Sequence, residues 1–274
     1  MGPRAGDRRS ALLRAFQPGH VLSSPANPQR THQRTVAPLR HDHADRARLT
    51  ARAENGSAGV RGVLFDFHDT LVYAGSLAAW VADGGGWDIA ADERERVLAV
   101  LPDAWARAAA RWPGSFWDLS PAEHRRAFTW ILQEDGGCSP ALATSLYDSM
   151  PNQWQLAQGV APLFTRLCRD GIRIGIVSNI AIDIRPVLDQ WGLLGQLDAV
   201  VLSFEVGMVK PDPAIFLLAA AAIDRHPAEC LMVGDSPAID GAASRVGMRS
   251  LIVAKGDAGP RLDAVAPLCG LTPT

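Results

Sequence analysis

VRGVLFDFHDT, residues 60–70, is the stretch on which the fold turns. Val63, Leu64 and Phe65 form a short apolar run with Gly62 before it and polar residues after it. A run of that length with such flanks predicts a buried strand. Asp66, the first ionisable side chain after the run, stands directly at its end, followed by Phe67, His68, Asp69 and Thr70.

Before this strand the chain has another character. Residues 1–59 are rich in arginine (Arg4, Arg8, Arg9, Arg14, Arg30, Arg34, Arg40), contain no lysine, and are interrupted by Pro, Ser, Asn and Gln. Such a segment cannot bury enough apolar surface to offset its ordering entropy, which predicts a disordered extension. A basic arm, a targeting peptide and an early start codon are the other readings of it.

After the strand, residues 74–158 read as helices: SLAAWVAD, ADERERVLAVLPDAWARAAARW, SPAEHRRAFTWILQEDGG and SPALATSLYDSM. Ser120-Pro121 with Glu123 carries an N-cap, a first-turn proline and a capping-box acid, and Ser139-Pro140 repeats the first two signals. From Gly159 the pattern alternates. APLFTRLCRDG, IDIRPVLDQWG, DPAIFLLAAAAI and DGAASRVG read as helices between the strands IRIGIVSN, DAVVLS, CLMVGD and SLIVA. That alternation predicts an α/β fold built on a Rossmann-like parallel sheet. The nearly continuous apolar runs IRIGIV, CLMVG and SLIVA are those of strands covered on both faces. The expected organisation is an α/β core from 60–73 and 159–274, with a helical cap, 74–158, inserted between.

Composition narrows the class. The chain has 274 residues, 47% apolar and 20% charged, with a formal charge of −2, so no basic field argues for nucleic acid or membrane partners. Cys138, Cys168, Cys230 and Cys269 form no CxxC pair, which favours reduced, buried thiols over a disulfide or zinc framework. No apolar run reaches membrane length and no secretory h-region is found, so a cytoplasmic location is expected.

In an open parallel sheet, ligands bind beyond the carboxyl ends of the strands. Those ends carry Asp66 and Thr70, then Ser178 and Asn179, then Lys210, then Asp235, Ser236 and Asp240. Carboxylates, a hydroxyl and a lysine converging on one edge suggest a nucleophile, a cation site and an anion clamp; the plainer reading is that strand ends are polar because loops are solvated.

These residues carry a resemblance. DFHDT (66–70), VSN (177–179), VKPD (209–212) and GDSPAID (234–240) resemble, in order, the four motifs of the haloacid dehalogenase-like (HAD) superfamily, over about Val60 to Ala254. The helical stretch after the first motif is similar to that family's helical cap. The resemblance implies a hydrolase with Asp66 as nucleophile, and Mg²⁺ held by Asp66, the His68 carbonyl and Asp235, with Asp240 slightly further out. It also implies Ser178 as a phosphoryl donor, Lys210 as a charge neutraliser, Thr70 as the residue fixing the nucleophile loop, and Asn179 as a phosphoryl contact. Mg²⁺ takes oxygen ligands from one or two carboxylates, water and substrate phosphate, and a carboxylate nucleophile splits hydrolysis into two easier steps.

One position departs from the pattern. Where the family's phosphatases carry a second Asp two residues after the nucleophile, this chain has His68. His68 could shuttle protons itself, or serve only through its backbone. The expected reaction is hydrolysis of a small phosphorylated metabolite through an aspartyl phosphate. Hydrolysis of a C–halogen or C–P bond, and a non-catalytic binding role, are the alternatives. The cap tryptophans Trp80, Trp87, Trp105, Trp112, Trp117, Trp130 and Trp154 are expected mostly to pack helices rather than to line a pocket. His124, in a charged helix, is expected to be solvated.

Overall fold

The computed structural model describes residues 59–85, 89–114, 116–255 and 261–272. The extension reading falls on residues 1–58, outside the described residues, as do Gly86 and Trp87. In chain order the elements begin with strand β1 (Gly62–Phe65) and strand β2 (Val72–Ala74). Helices α1 (Leu77–Asp83), α2 (Ala91–Val100), α3 (Ala104–Arg111), α4 (Pro121–Glu134) and α5 (Pro140–Asp148) follow. Strand β3 (Trp154–Leu156) leads back to helix α6 (Val160–Arg169), strand β4 (Arg173–Ser178) and helix α7 (Arg185–Gln190). Next come strand β5 (Ala199–Leu202), helices α8 (Ser203–Val206) and α9 (Pro213–Ala222), and strand β6 (Cys230–Gly234). Strand β7 (Arg249–Ile252) and helix α10 (Val265–Leu268) complete the series.

The main sheet has five strands in the order β5-β4-β1-β6-β7, every pair parallel. The opening strand is therefore central, and all its residues are buried. Alternate side chains serve opposite layers, as the period of a strand requires. Val63 and Phe65 join the apolar cluster that holds Phe164 and Leu167 of α6, with the Phe65 and Phe164 rings 5.2 Å apart. Leu64 joins the cluster of Ile215, Phe216 and Ala219 from α9. On β4, an added Cβ at Gly175 would stand 2.8 Å from Leu64 Cδ2 and 2.9 Å from Ile223 Cγ2, so the residue's lack of a side chain lets that second layer close on the sheet.

The cap helices begin where the sequence signals them. Ser120 Oγ accepts from Glu123 N at 3.3 Å to start α4, and Ser139 Oγ accepts from Leu142 N at 3.3 Å to start α5. Pro102 falls in a 3-10 turn that divides the long ADERERVLAVLPDAWARAAARW segment into α2 and α3. The tryptophans mainly pack: Trp80 and Trp154 are buried, and Trp105, Trp112, Trp117 and Trp130 are partly buried against the core. Among the described residues no helix is long and apolar enough to cross a membrane.

Several expectations need correction. Residues 154–156 are a strand, not helix: β3 pairs antiparallel with β2 in a two-stranded ribbon, Val72 opposite Leu156 and Ala74 opposite Trp154. Three residues per strand are too few to show alternation. DGAASRVG forms a 3-10 turn, Gly241–Val246, rather than an α-helix. Strand β7 lies at the sheet edge with most of its residues exposed, not covered on both faces. Cys168 is exposed, whereas Cys138 and Cys230 are buried.

His124 is also corrected. It is buried, 6% exposed, with Nδ1 2.8 Å from Tyr147 Oη and its ring stacked on Trp105 at 4.1 Å. His124, Ala127, Phe128, Ile131 and Leu132 are the buried residues of α4, a helical face that the charged neighbours Glu123, Arg125 and Arg126 disguise. Burial, with a smaller contribution from the charge of His68, lowers the His124 imidazole from its usual 6.5 to about 4. The unfolded chain therefore binds more protons between those values. Stability from this residue is complete above about pH 6.5 and is lost as the pH falls toward 4. In urea unfolding, wild type should lose about 2 kcal/mol between pH 7 and pH 5 relative to His124→Gln. Parallel pH dependences for the two proteins would show that the imidazole is not held neutral.

Candidate active site

Asp66 follows β1 directly, and its N–H donates to the Val233 carbonyl at 2.8 Å, continuing the β1–β6 ladder by one step. The side chain is thus fixed by the most buried part of the sheet. Lys210, 3% exposed, reaches it from the segment between α8 and α9. Its Nζ donates to Asp66 Oδ1 at 2.6 Å and to Asp240 Oδ1 at 2.6 Å. The other Asp240 oxygen accepts from Ser236 N at 3.0 Å. Asp235, beyond the end of β6, completes a group in which one carboxylate oxygen each from Asp66, Asp235 and Asp240 lie within 4.8 Å of one another.

That group could hold a divalent cation, because its donors are all hard oxygens. Both oxygens of Asp240 accept hydrogen bonds, from Lys210 and from Ser236 N, and Asp66 Oδ2 lies 3.5 Å from Thr70 Oγ1.

Gly234 makes this arrangement possible. A Cβ on it would meet Asp240 Cγ at 2.2 Å. The glycine of the GD pair in GDSPAID is thus required by close approach of a carboxylate to the strand.

Burial sets the electrostatics. It raises the Asp66 carboxyl from 3.8 to about 6, against the lowering pull of Lys210 and with a further push from Asp240. Burial works to lower Lys210, but the carboxylates of Asp66 and Asp240 outweigh it and the ammonium is held above its usual value. The His68 ring meets the rings of Phe67 and Trp154 edge-on at 5.2 and 5.1 Å, and those two rings are 5.2 Å from each other, so the three form a triangle. Burial lowers the His68 imidazole to about 4, opposed by Asp69 and assisted by Lys210. At neutral pH it is uncharged.

The remaining expected residues occupy the same edge. Ser178 ends β4, buried at 1% exposure, on the strand beside β1. Thr70 is fully buried. Asn179 has a different engagement from the expected phosphoryl contact: Nδ2 donates to the Lys210 carbonyl at 2.8 Å, and Oδ1 accepts from Lys210 N at 2.7 Å. Its amide braces the loop that delivers the lysine.

Other residues here escaped the sequence reading. Lys255 Nζ stands 3.0 Å from Asp235 Oδ2 and 3.6 Å from Asp69 Oδ2. It follows the apolar run of β7, so the question asked of the other strand ends would have found it. Ser203 Oγ accepts from Ile180 N at 2.9 Å and donates to the Asp118 carbonyl of the cap at 2.7 Å, joining cap to core beside Asn179. Arg261 contacts the carbonyls of Asp69 and Thr70 from a distant part of the chain, with no motif to mark it.

A shared lysine, a strand-end carboxylate and a glycine-dependent second carboxylate now stand in one frame, and the family description haloacid dehalogenase-like hydrolase matches residues 60–247. The chain belongs to the HAD-like hydrolases. Phosphoserine phosphatase of Thermus thermophilus is 31% identical to this hydrolase over 170 residues, 58% of this chain and 65% of that protein. Haloacid dehalogenase-like hydrolase domain-containing protein 3 of Mus musculus is 36% identical over 124 residues, 44% of this chain and 49% of that one. The aligned part of the HAD-like hydrolase thus spans about half to two thirds of the length of these relatives. A 2-haloacid dehalogenase from Pseudomonas syringae pv. Tomato DC3000 superposes with a TM-score of 0.52 at 23% identity, over 77% of this chain and 98% of that one, a likeness of fold.

Gly234→Ala in this hydrolase should force the Asp240 carboxylate away from Lys210 and destabilise the protein by roughly 1–3 kcal/mol, the usual cost of overpacking. Urea unfolding measures it; wild-type stability in that variant would mean that Asp240 does not need the close approach.

Proposed function

We propose that the hydrolase is a Mg²⁺-dependent phosphatase acting on a small phosphorylated metabolite through a covalent phosphate on Asp66. The observation that carries the proposal is the buried Lys210 ammonium shared at 2.6 Å between Asp66 and Asp240, next to a third carboxylate at Asp235. The relationship to a phosphoserine phosphatase supports the reaction class.

In this reading Asp66, the backbone carbonyl of His68 and Asp235 hold Mg²⁺. The bound ion would neutralise phosphate charge and keep the carboxylates ionised. Asp66 Oδ2, the oxygen not bonded to Lys210, forms a bond to phosphorus as the ester P–O bond breaks, and the departing alkoxide takes its proton from water. Lys210 stays on Oδ1 and offsets charge gathering on the nucleophile and phosphoryl group, and Ser178 donates to a phosphoryl oxygen. Water then attacks the phosphorus of the aspartyl phosphate, releasing inorganic phosphate and restoring the Asp66 carboxylate.

In this reading His68 serves the second step: burial holds its imidazole uncharged, so one ring nitrogen is unprotonated and can accept a proton from the attacking water, as a weaker base than an ordinary imidazole. It is poorly suited to give a proton to a departing alkoxide. That asymmetry makes position 68, where a carboxylic acid is missing, the position that decides between phosphate esters and the C–halogen or C–P alternatives.

A panel of phosphorylated metabolites assayed with Mg²⁺ and with chelator tests the reading. Phosphate release should require the metal and should vanish in Asp66→Asn with the fold retained; an Asp66→Asn variant of full activity ends the nucleophile assignment, and metal-independent halide release by wild type would favour a dehalogenase. His68→Ala should cut steady-state turnover by about 10²–10⁴-fold. Rapid-quench kinetics should show a burst of released alcohol matching the enzyme concentration. A uniform slowing without a burst would move His68 to the first step.

A further inference from the structure

The Asp69–Thr70 turn of the nucleophile loop is held by a residue far away in sequence. Arg261 Nη1 donates to the Asp69 carbonyl at 2.7 Å and to the Ala254 carbonyl at 2.7 Å, and Nη2 donates to the Thr70 carbonyl at 3.1 Å. The guanidinium thus ties the turn after Asp66 to the segment that leaves β7. A planar fork of charged donors suits adjacent carbonyls, and such bonds are stronger than neutral ones.

The turn needs a restraint. Asp69 has φ of +55°, a left-handed conformation that crowds the Cβ of a residue other than glycine. This kink reverses the chain so that Leu71 N and Val72 N both donate to the Phe67 carbonyl, at 2.9 and 3.1 Å. It brings Thr70 Oγ1 to 3.5 Å from Asp66 Oδ2, and it sets the position of the His68 backbone. Any relaxation of Asp69 moves all three.

We propose that Arg261 is a positioning residue for the chemistry at Asp66, holding the left-handed Asp69 turn so that Asp66, His68 and Thr70 keep their mutual geometry. The catalytic half of this inference rests on the phosphatase reading above; the structural half does not. Lys255 is a useful contrast. It also reaches this loop, through Asp69 at 3.6 Å, but its side chain is 70% exposed, and exposed ion pairs contribute little. The two cations flanking the loop should therefore differ sharply in effect.

The experiment compares Arg261→Ala, Arg261→Lys and Lys255→Ala in the full chain. Displacements of about 1 Å can cost 10²-fold in rate. Arg261→Ala should lower kcat by roughly 10–100-fold with little change in KM, and Arg261→Lys should recover part of the loss. Hydrogen exchange of the amides of Leu71 and Val72, read without substrate or metal, should accelerate in Arg261→Ala and remain slow in Lys255→Ala. Unchanged exchange in Arg261→Ala overturns the proposal, as does a wild-type kcat in that variant. Accelerated exchange in a protein whose wild type releases no phosphate from any ester would leave the clamp standing and remove the phosphatase reading instead.

Discussion

Lys210 carries an ammonium into a place that water hardly reaches and spends it on two carboxylates at once. Removing a charge from water costs several kcal/mol even after relaxation, and only close, well-directed partners offset that. With Asp66 and Asp240 both at 2.6 Å the lysine is compensated, but the site as a whole is not. Asp235 brings a further negative charge within 4.8 Å, and the nearby Lys255 is too exposed to balance it strongly. A site built this way has room for one more positive charge, bound through oxygen. Desolvation, with a smaller push from Asp240, lifts the Asp66 carboxyl despite its ammonium partner.

The scaffold exists to deliver that lysine and those carboxylates to one edge. Asp66 is delivered by the central strand, whose next backbone N–H is still in the ladder. Asp240 is delivered by a short 3-10 turn folded back on Gly234, possible only because no Cβ intervenes. Lys210 has no strand to stand on, and the Asn179 side chain supplies the missing order by bonding to both its N–H and its carbonyl. Each element is therefore rigid for a separate local reason.

How much of this the sequence revealed follows from where each residue stands. Asp66, Ser178 and Asp235 were legible because each follows an apolar run, and a parallel sheet sends all such ends to one side. Lys210 and Asp240 stand several residues beyond their strands, so the strand-end reading reached them less directly and the motif resemblance gave them their roles. The target of Asn179 was not legible, because a side-chain amide can bond to phosphate or to backbone with equal ease. His124 was misread: its charged neighbours hid an apolar face that the spacing 124, 127, 128, 131, 132 displays. The β2–β3 ribbon and the reach of Arg261 depend on contacts between segments distant in sequence, which no local pattern encodes.

The ribbon links the cap to the chemistry in a way the separate parts do not suggest. β2 leaves the nucleophile loop after Leu71, and β3 returns from the cap carrying Trp154. That tryptophan packs edge-on against His68, whose bridge to Val72 ties it to the first ribbon strand. The cap's return strand thus helps strip water from the imidazole, and desolvation is the largest cause of its lowered basicity. The contact between the cap's return strand and the edge of the candidate site therefore rests on three residue pairs of antiparallel strand and one edge-on ring, not on the helices above them.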